Sequence, residues 1–330
     1  GQVRLTVSGV VLAILFSILL AFVLPAILPG ARAWHKGYNL YNGGLAFGIF
    51  GFFVFNFMYR TMGIEPPQAL TADNVIYDYF NRSYRSFATL FFLAAFSLCT
   101  IAGYILNGRS FKGFRHLVTD TGYSSNFAEK YGMPLCLINI GCYGFLFLLY
   151  IHLITHFTEG AGFTGPTIGV TVAALTFSAM GQHPRNVWPI LAGYLLLYLV
   201  NNTVYADILC DFVPDGMDGR EIAWTISTQG YINGVAFATG LCPIVGRYGI
   251  RAGLAAGFMC ASMCTATSAL HGGLVLYNGG FTAGTTALIL LPILEHYIPS
   301  ARERLKDQTI RMNDLIIVEL PGKEKRRRKK

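Results

Sequence analysis

From Leu5 to Pro29 the chain reads LTVSGVVLAILFSILLAFVLPAILP, without one charged side chain. A second stretch, Ser86 to Leu106, is equally free of charge. Each reaches or exceeds the roughly 20 apolar residues that carry a helix across a bilayer. Backbone in hydrocarbon must satisfy its own hydrogen bonds, so such runs are read as helices. The first run is too long for a signal-peptide core and lacks a basic leader, so it reads as a span. Composition agrees: 13% of the 330 residues are charged, against about a quarter in a soluble domain.

Apolar segments near 5–29, 44–59, 86–106, 133–157, 166–181, 187–206, 222–241, 250–269 and 281–298 predict an all-α, polytopic transmembrane bundle of about nine spans. The fifth is short and glycine-rich, and the seventh is polar. Both are expected inside the protein, as discontinuous or re-entrant helices. With nine alternating spans, Arg109, Lys112, Arg115, Arg185, Arg247, Arg251 and the tail KEKRRRKK share one side, while the acidic segment 207–221 lies opposite. The positive-inside rule then makes the C-terminus cytoplasmic. A net charge of +8 placed this way points to anionic lipid rather than nucleic acid. The bilayer is the expected partner, and homo-oligomerisation is compatible with this reading.

One string occurs twice. HKGYNLYNGGLAFG begins at His35 and HGGLVLYNGGFTAG at His271, with eight identities in fourteen positions at a constant offset of 236 (271 − 35). Seven crossings separate the copies, so they face opposite sides. That is the signature of an inverted repeat, as in many transporters. A re-entrant fifth segment would instead make the copies parallel. Residues 1–60 read as the end of a first repeat and 61–116 as a loop, a connecting span and a basic loop. Residues 117–300 read as the second repeat, and 301–330 as a basic tail. If the halves are equivalent, a first-copy counterpart of residues 117–240 is expected ahead of residue 1; otherwise the repeat is partial.

Three places could carry chemistry. In GFTGPTIG, Thr164 is a candidate N-cap, Gly165 permits an unusual turn and Pro166 suits a first helical turn. A helix starting at Pro166 or Thr167 would aim its N–H groups at a carboxylate, anion or carbonyl. In the repeated string, Tyr277, Asn278, Gly279 and Gly280, with His271, offer a flexible turn, a cap and an aromatic wall. His35, Tyr41, Asn42 and Gly43 play the same parts in the first copy. Gln182, His183, Arg185 and Asn186 are expected at a cytoplasmic mouth. A structural turn or close helix packing explains the same patterns, and duplication does not separate the two. His152, His156 and Glu159 have metal-like spacing but no further ligand, and no cofactor motif is present. The seven cysteines show no CxxC pair and read as buried thiols.

The strings HGGLVLYNGGFTAG, CPIVGRYG and GPTIG…GQHPRNVWPILAG resemble a bacterial family of multi-pass membrane proteins known only as a domain of unknown function. The resemblance implies a polytopic helical fold and brings no substrate. The expected function is a secondary transporter or channel for a small polar or anionic solute. A membrane enzyme acting on a lipid or isoprenoid, with His183 and Arg185 or His271 as its polar centre, and a scaffold subunit are the alternatives.

Overall fold

The computed structural model describes residues 6–63, 77–157, 165–201, 229–264, 266–267, 271 and 279–298. The described residues are helical, with no strand among them. Helix α1 runs Val7–Trp34 and α2 Asn42–Phe55, extended by a π turn to Thr61. Helix α3 is Tyr77–Leu106, followed by short α4 (Phe114–Leu117) and α5 (Phe127–Tyr131). Then come α6 (Met133–Phe157), α7 (Gly165–Thr176, continued by a 3₁₀ turn to Met180) and α8 (Pro184–Leu199). A broken helix follows: α9 (Gln229–Ala238), a 3₁₀ turn (Thr239–Leu241) and α10 (Cys242–Tyr248). Helices α11 (Ile250–Cys264) and α12 (Gly279–Tyr297) complete the set.

Among the described residues, four elements are long and apolar enough to cross a membrane: Val7–Trp34, Asn42–Thr61, Ser86–Leu106 and Met133–Phe157. Leu12, Leu15, Phe22 and other large apolar side chains on α1 face outwards, as lipid-facing side chains do. Thr6 caps α1 by accepting from the Gly9 N–H at 3.1 Å. The helix continues through Pro25 and Pro29 and ends where Lys36 and Gly37 turn to positive φ.

Small residues set the helix contacts. A Cβ on Gly257 of α11 would strike the Ile190 carbonyl of α8, and one on Gly193 of α8 would lie 2.7 Å from Gly257 Cα. On α6, a Cβ at Gly144 would lie 2.6 Å from the Phe96 ring of α3. Without a hydrophobic drive between helices in lipid, such close backbone approach supplies the packing.

Helices α1 and α2 form an antiparallel hairpin: Leu28 lies beside Gly43, and Phe16 beside Phe50. Helices α11 and α12 form a second, with Thr267 Oγ1 3.2 Å from Thr282 Oγ1. One facing pair recurs in both hairpins. Ala31 and Ala46 share one cluster, and their counterparts at the offset of 236 are Thr267 and Thr282.

The hairpins run in opposite directions. The ring of Tyr38, just past the end of α1, lies 5.8 Å from that of Tyr248, just before the start of α11. The far end of α12 returns to the same place, with Lys36 bonded to Glu295 at 2.6 Å.

Candidate functional site

The repeated glycines are not a flexible turn. Asn42, Gly43 and Gly44 already belong to the first turn of α2, and Gly279 and Gly280 open α12. The backbone freedom lies earlier, at Lys36 (φ 51°) and Gly37 (φ 78°). The later glycines permit contact between the hairpins. A Cβ on Gly44 would fall onto Gly280 Cα, and one on Gly280 would sit 2.8 Å from Gly44 Cα. A Cβ on Gly48 would lie 2.6 Å from Phe281 Cβ, and one on Gly284 would lie 2.8 Å from Leu45 Cβ. Gly44, Leu45 and Gly48 are the counterparts of Gly280, Phe281 and Gly284. The contact is therefore reciprocal, as a twofold axis requires.

His271 ties the crossing together. It is fully buried, with Nδ1 2.6 Å from the Thr267 carbonyl and Nε2 2.8 Å from the Gly48 carbonyl. Both nitrogens face backbone carbonyls. In the first copy the counterpart His35 is also buried, but its Nδ1 accepts from the Asn39 N–H at 3.4 Å, and Asn42 stands beside its ring. The two histidines therefore make different bonds. Tyr277, Asn278 and Thr164 lie outside the described residues. Gly279 packs on Phe237 and the Asn233 carbonyl of α9. Helix α7 begins at Gly165, and Thr167 is buried.

Beside this crossing lies a buried polar centre. Tyr41 packs between Phe177 (4.4 Å) and Phe237 (5.1 Å). Its hydroxyl is 3.0 Å from the Gln182 carboxamide, which also lies 2.9 Å from Thr239 Oγ1. With the carboxamide oxygen turned to those hydroxyls, it also accepts from the Gly240 N–H at 3.3 Å, and its nitrogen donates to the Ala174 carbonyl at 3.1 Å. That orientation avoids one oxygen–oxygen and one nitrogen–nitrogen contact. Tyr143 donates to Thr239 at 3.0 Å. Asn139 donates to the Ser178 carbonyl at 3.2 Å and the Gln182 carbonyl at 2.7 Å. The Ser178 carbonyl lies in the 3₁₀ turn after α7 and the Gln182 carbonyl just beyond it, where helix ends leave carbonyls for a side chain to satisfy. Sequence reasoning had found Tyr41 and Gln182, but not Asn39, Asn139, Tyr143, Ser178 or Thr239.

Of the residues expected at a mouth, only Arg185 is exposed; Gln182, His183 and Asn186 are buried. The loop after α4 covers them. His183 donates from Nε2 to the Asp120 carbonyl at 2.9 Å and accepts at Nδ1 from the Asn186 N–H at 3.3 Å, while Asn186 accepts from the His183 N–H at 2.9 Å. This reciprocal box caps α8. Gly122 fits against Gly181, and Thr121 against Gly246. The segments bearing Arg115, Arg185 and Arg247 therefore meet at one end of the bundle.

Asp120 fastens that loop. It accepts from Gly122 N (2.9 Å), Ser125 Oγ (2.8 Å) and Tyr131 Oη (2.8 Å), and pairs with Lys130. Burial pushes its carboxyl up, but bonds from Lys130, Gly122, Ser125 and Tyr131 outweigh that and hold it at about 2, below the ordinary 3.8. Burial lowers the His183 imidazole from 6.5 to about 4, against the raising effect of the Asp120 carbonyl. The unfolded chain therefore takes up the His183 proton first. Stability from this loop should be full above pH 6.5 and fall as the pH drops towards 4. Asp120 adds a second loss between 3.8 and about 2. Thermal unfolding in detergent across pH 4–7 should show the first slope, and His183→Gln should flatten it. An unchanged slope in the variant would assign the loss elsewhere.

His152 bonds Thr89 at 3.1 Å, and Glu159 lies outside the described residues. Among the described residues no three His, Cys, Asp or Glu side chains are grouped to hold a metal. The chain matches the family described as "Protein of unknown function (DUF1576)" over residues 1–60, 106–212 and 220–296. It belongs to that family. These matched segments contain both hairpins, the loop fastened by Asp120 and the buried polar centre. No curated protein and no solved structure matches the chain.

Proposed function

We propose that this chain is a multi-pass membrane transporter or channel that moves a small polar or anionic solute beside the crossing of two inverted helical hairpins. One observation carries the reading: the hairpins bear the same string, run in opposite directions and touch reciprocally at Gly44 and Gly280. Opposed equivalent hairpins imply a pseudo-twofold axis in the membrane plane, and transporters place their solute sites beside such axes, at broken helices. Here α7 ends in a 3₁₀ turn and α9 passes through another at Thr239, and both breaks border Gln182. In this reading nine segments cross or enter the bilayer. The end that carries the basic segments, together with the C-terminus, faces the cytoplasm.

The enzyme alternative has less support. Both ring nitrogens of His183 and of His271 lie within hydrogen-bond distance of protein groups. Proteoliposomes containing the full chain should equilibrate at least one of glycerol, acetamide, formate and phosphate faster than protein-free liposomes. Rates equal to those of empty liposomes for all four would remove the transport reading.

A further inference from the structure

Three buried polar atoms around Gln182 have no protein partner: Asn39 Nδ2, Asn139 Oδ1 and Ser178 Oγ. Their residues are at most 1% exposed. Buried polar groups in folded proteins are nearly always paired with protein, water or ligand. Three such atoms in one network mark a place that something else completes. They are linked through the protein. Asn139 bonds the Ser178 and Gln182 carbonyls, and Gln182 meets Tyr41. Asn39 Oδ1 accepts from the Tyr41 N–H at 3.2 Å.

The chemistry of the set is specific. It offers an amide donor, a carbonyl acceptor and a hydroxyl that can be either. Every polar side chain in the network is uncharged: Asn39, Tyr41, Asn139, Tyr143, Ser178, Gln182 and Thr239. Asp120, in the covering loop, is already engaged by four groups. An ion moved from water into such surroundings loses its hydration without a counter-charge, a cost far above that of a neutral polar group.

We infer that the Gln182 centre binds a small uncharged solute with both hydrogen-bond donors and acceptors, of the amide or polyol class. This rests on the transport reading and narrows it by excluding anions. The solute bonds Asn39, Asn139 and Ser178, and water fills those positions between solutes.

Ser178→Ala tests this cleanly, because Ser178 Oγ makes no hydrogen bond that the fold would lose. In proteoliposomes, glycerol or acetamide flux should fall roughly fivefold to tenfold, the worth of one hydrogen bond, with the melting temperature unchanged. Unchanged flux in Ser178→Ala would overturn the site.

Ser178→Cys, in a background with the seven native cysteines replaced, gives a readout independent of flux. A neutral methanethiosulfonate should label it, an anionic one of the same length should not, and glycerol should slow the labelling. No labelling by the neutral reagent would overturn the site. Equal labelling by the anionic reagent, or flux of formate or phosphate alone, would overturn the neutral class while leaving transport intact. Glycerol-protected labelling without flux of any probe would keep the site and remove the transport reading.

Discussion

Changing Gly44 to alanine should damage the protein, while the same change at Gly43 should not. The added Cβ on Gly44 meets the Gly280 backbone, whereas on Gly43 it meets the Phe47 ring at 3.7 Å and Leu28 Cδ2 at 3.9 Å, ordinary van der Waals distances. Backbone cannot swing aside as a side chain can, so α2 and α12 must part. Overpacking of this kind costs about 1–3 kcal/mol, and a larger residue such as leucine costs more. Against a typical folding stability of about 5–15 kcal/mol, that is a large fraction. Gly43→Ala should be neutral or slightly stabilising, since alanine favours helix over glycine by about 1 kcal/mol. Reciprocity adds a stricter demand: Gly280→Ala should match Gly44→Ala in sign. The double variant should cost less than the sum, because one separation relieves both clashes. Thermal unfolding in detergent, monitored by size-exclusion chromatography, reads all four proteins. Equal stability of Gly43→Ala and Gly44→Ala would contradict the crossing.

Gln182→Leu should be the most damaging polar change. Leucine fills most of the space but strands the Gly240 N–H in a buried site, while the Tyr41 hydroxyl keeps the Ala174 carbonyl at 3.4 Å. An orphaned buried group costs about 1–3 kcal/mol. Arg185→Gln, three residues along the chain but exposed, should change stability by no more than about 0.5 kcal/mol. The measurement is the same unfolding assay. Comparable stability of the two variants would mean that the Gln182 network contributes nothing to the fold.

Helices were the most legible feature of the sequence, because hydrocarbon leaves the backbone no alternative and the uncharged runs announce it. Each expected segment contains or overlaps a helix. The ends moved where local chemistry prevailed. Helix α1 runs on through two prolines to Trp34, and α8 starts early because His183 and Asn186 cap it. The repeat was legible as identity, but its purpose was not. Two adjacent glycines after asparagine look the same in sequence whether they make a loop or a helix crossing, and only the partner, Gly280 across from Gly44, decides.

The polar centre was hidden for a related reason. Asn139 and Thr239 are single polar residues within apolar runs, with no spacing to connect them to Gln182. Their connection is made by tertiary packing of α6, α9 and the turn after α7. The run Gln182–Asn186 looked like a water-facing mouth because it is polar. It is buried because a glycine-bearing loop fits over it, with Gly122 against Gly181.

The claim on which the account turns is that the two hairpins are inverted across the membrane. Cysteine substitutions at Lys36, in the turn of the first hairpin, at Arg251, at the open end of the second, and at Met62, at the open end of the first, test it directly; all three positions are exposed. An impermeant thiol reagent applied to intact cells and to inverted vesicles, with native cysteines removed, gives the side of each. The account predicts that positions 36 and 251 react only from the cytoplasmic face and position 62 only from the outside. Labelling of 36 and 62 from one face, or of 36 and 251 from opposite faces, would contradict it.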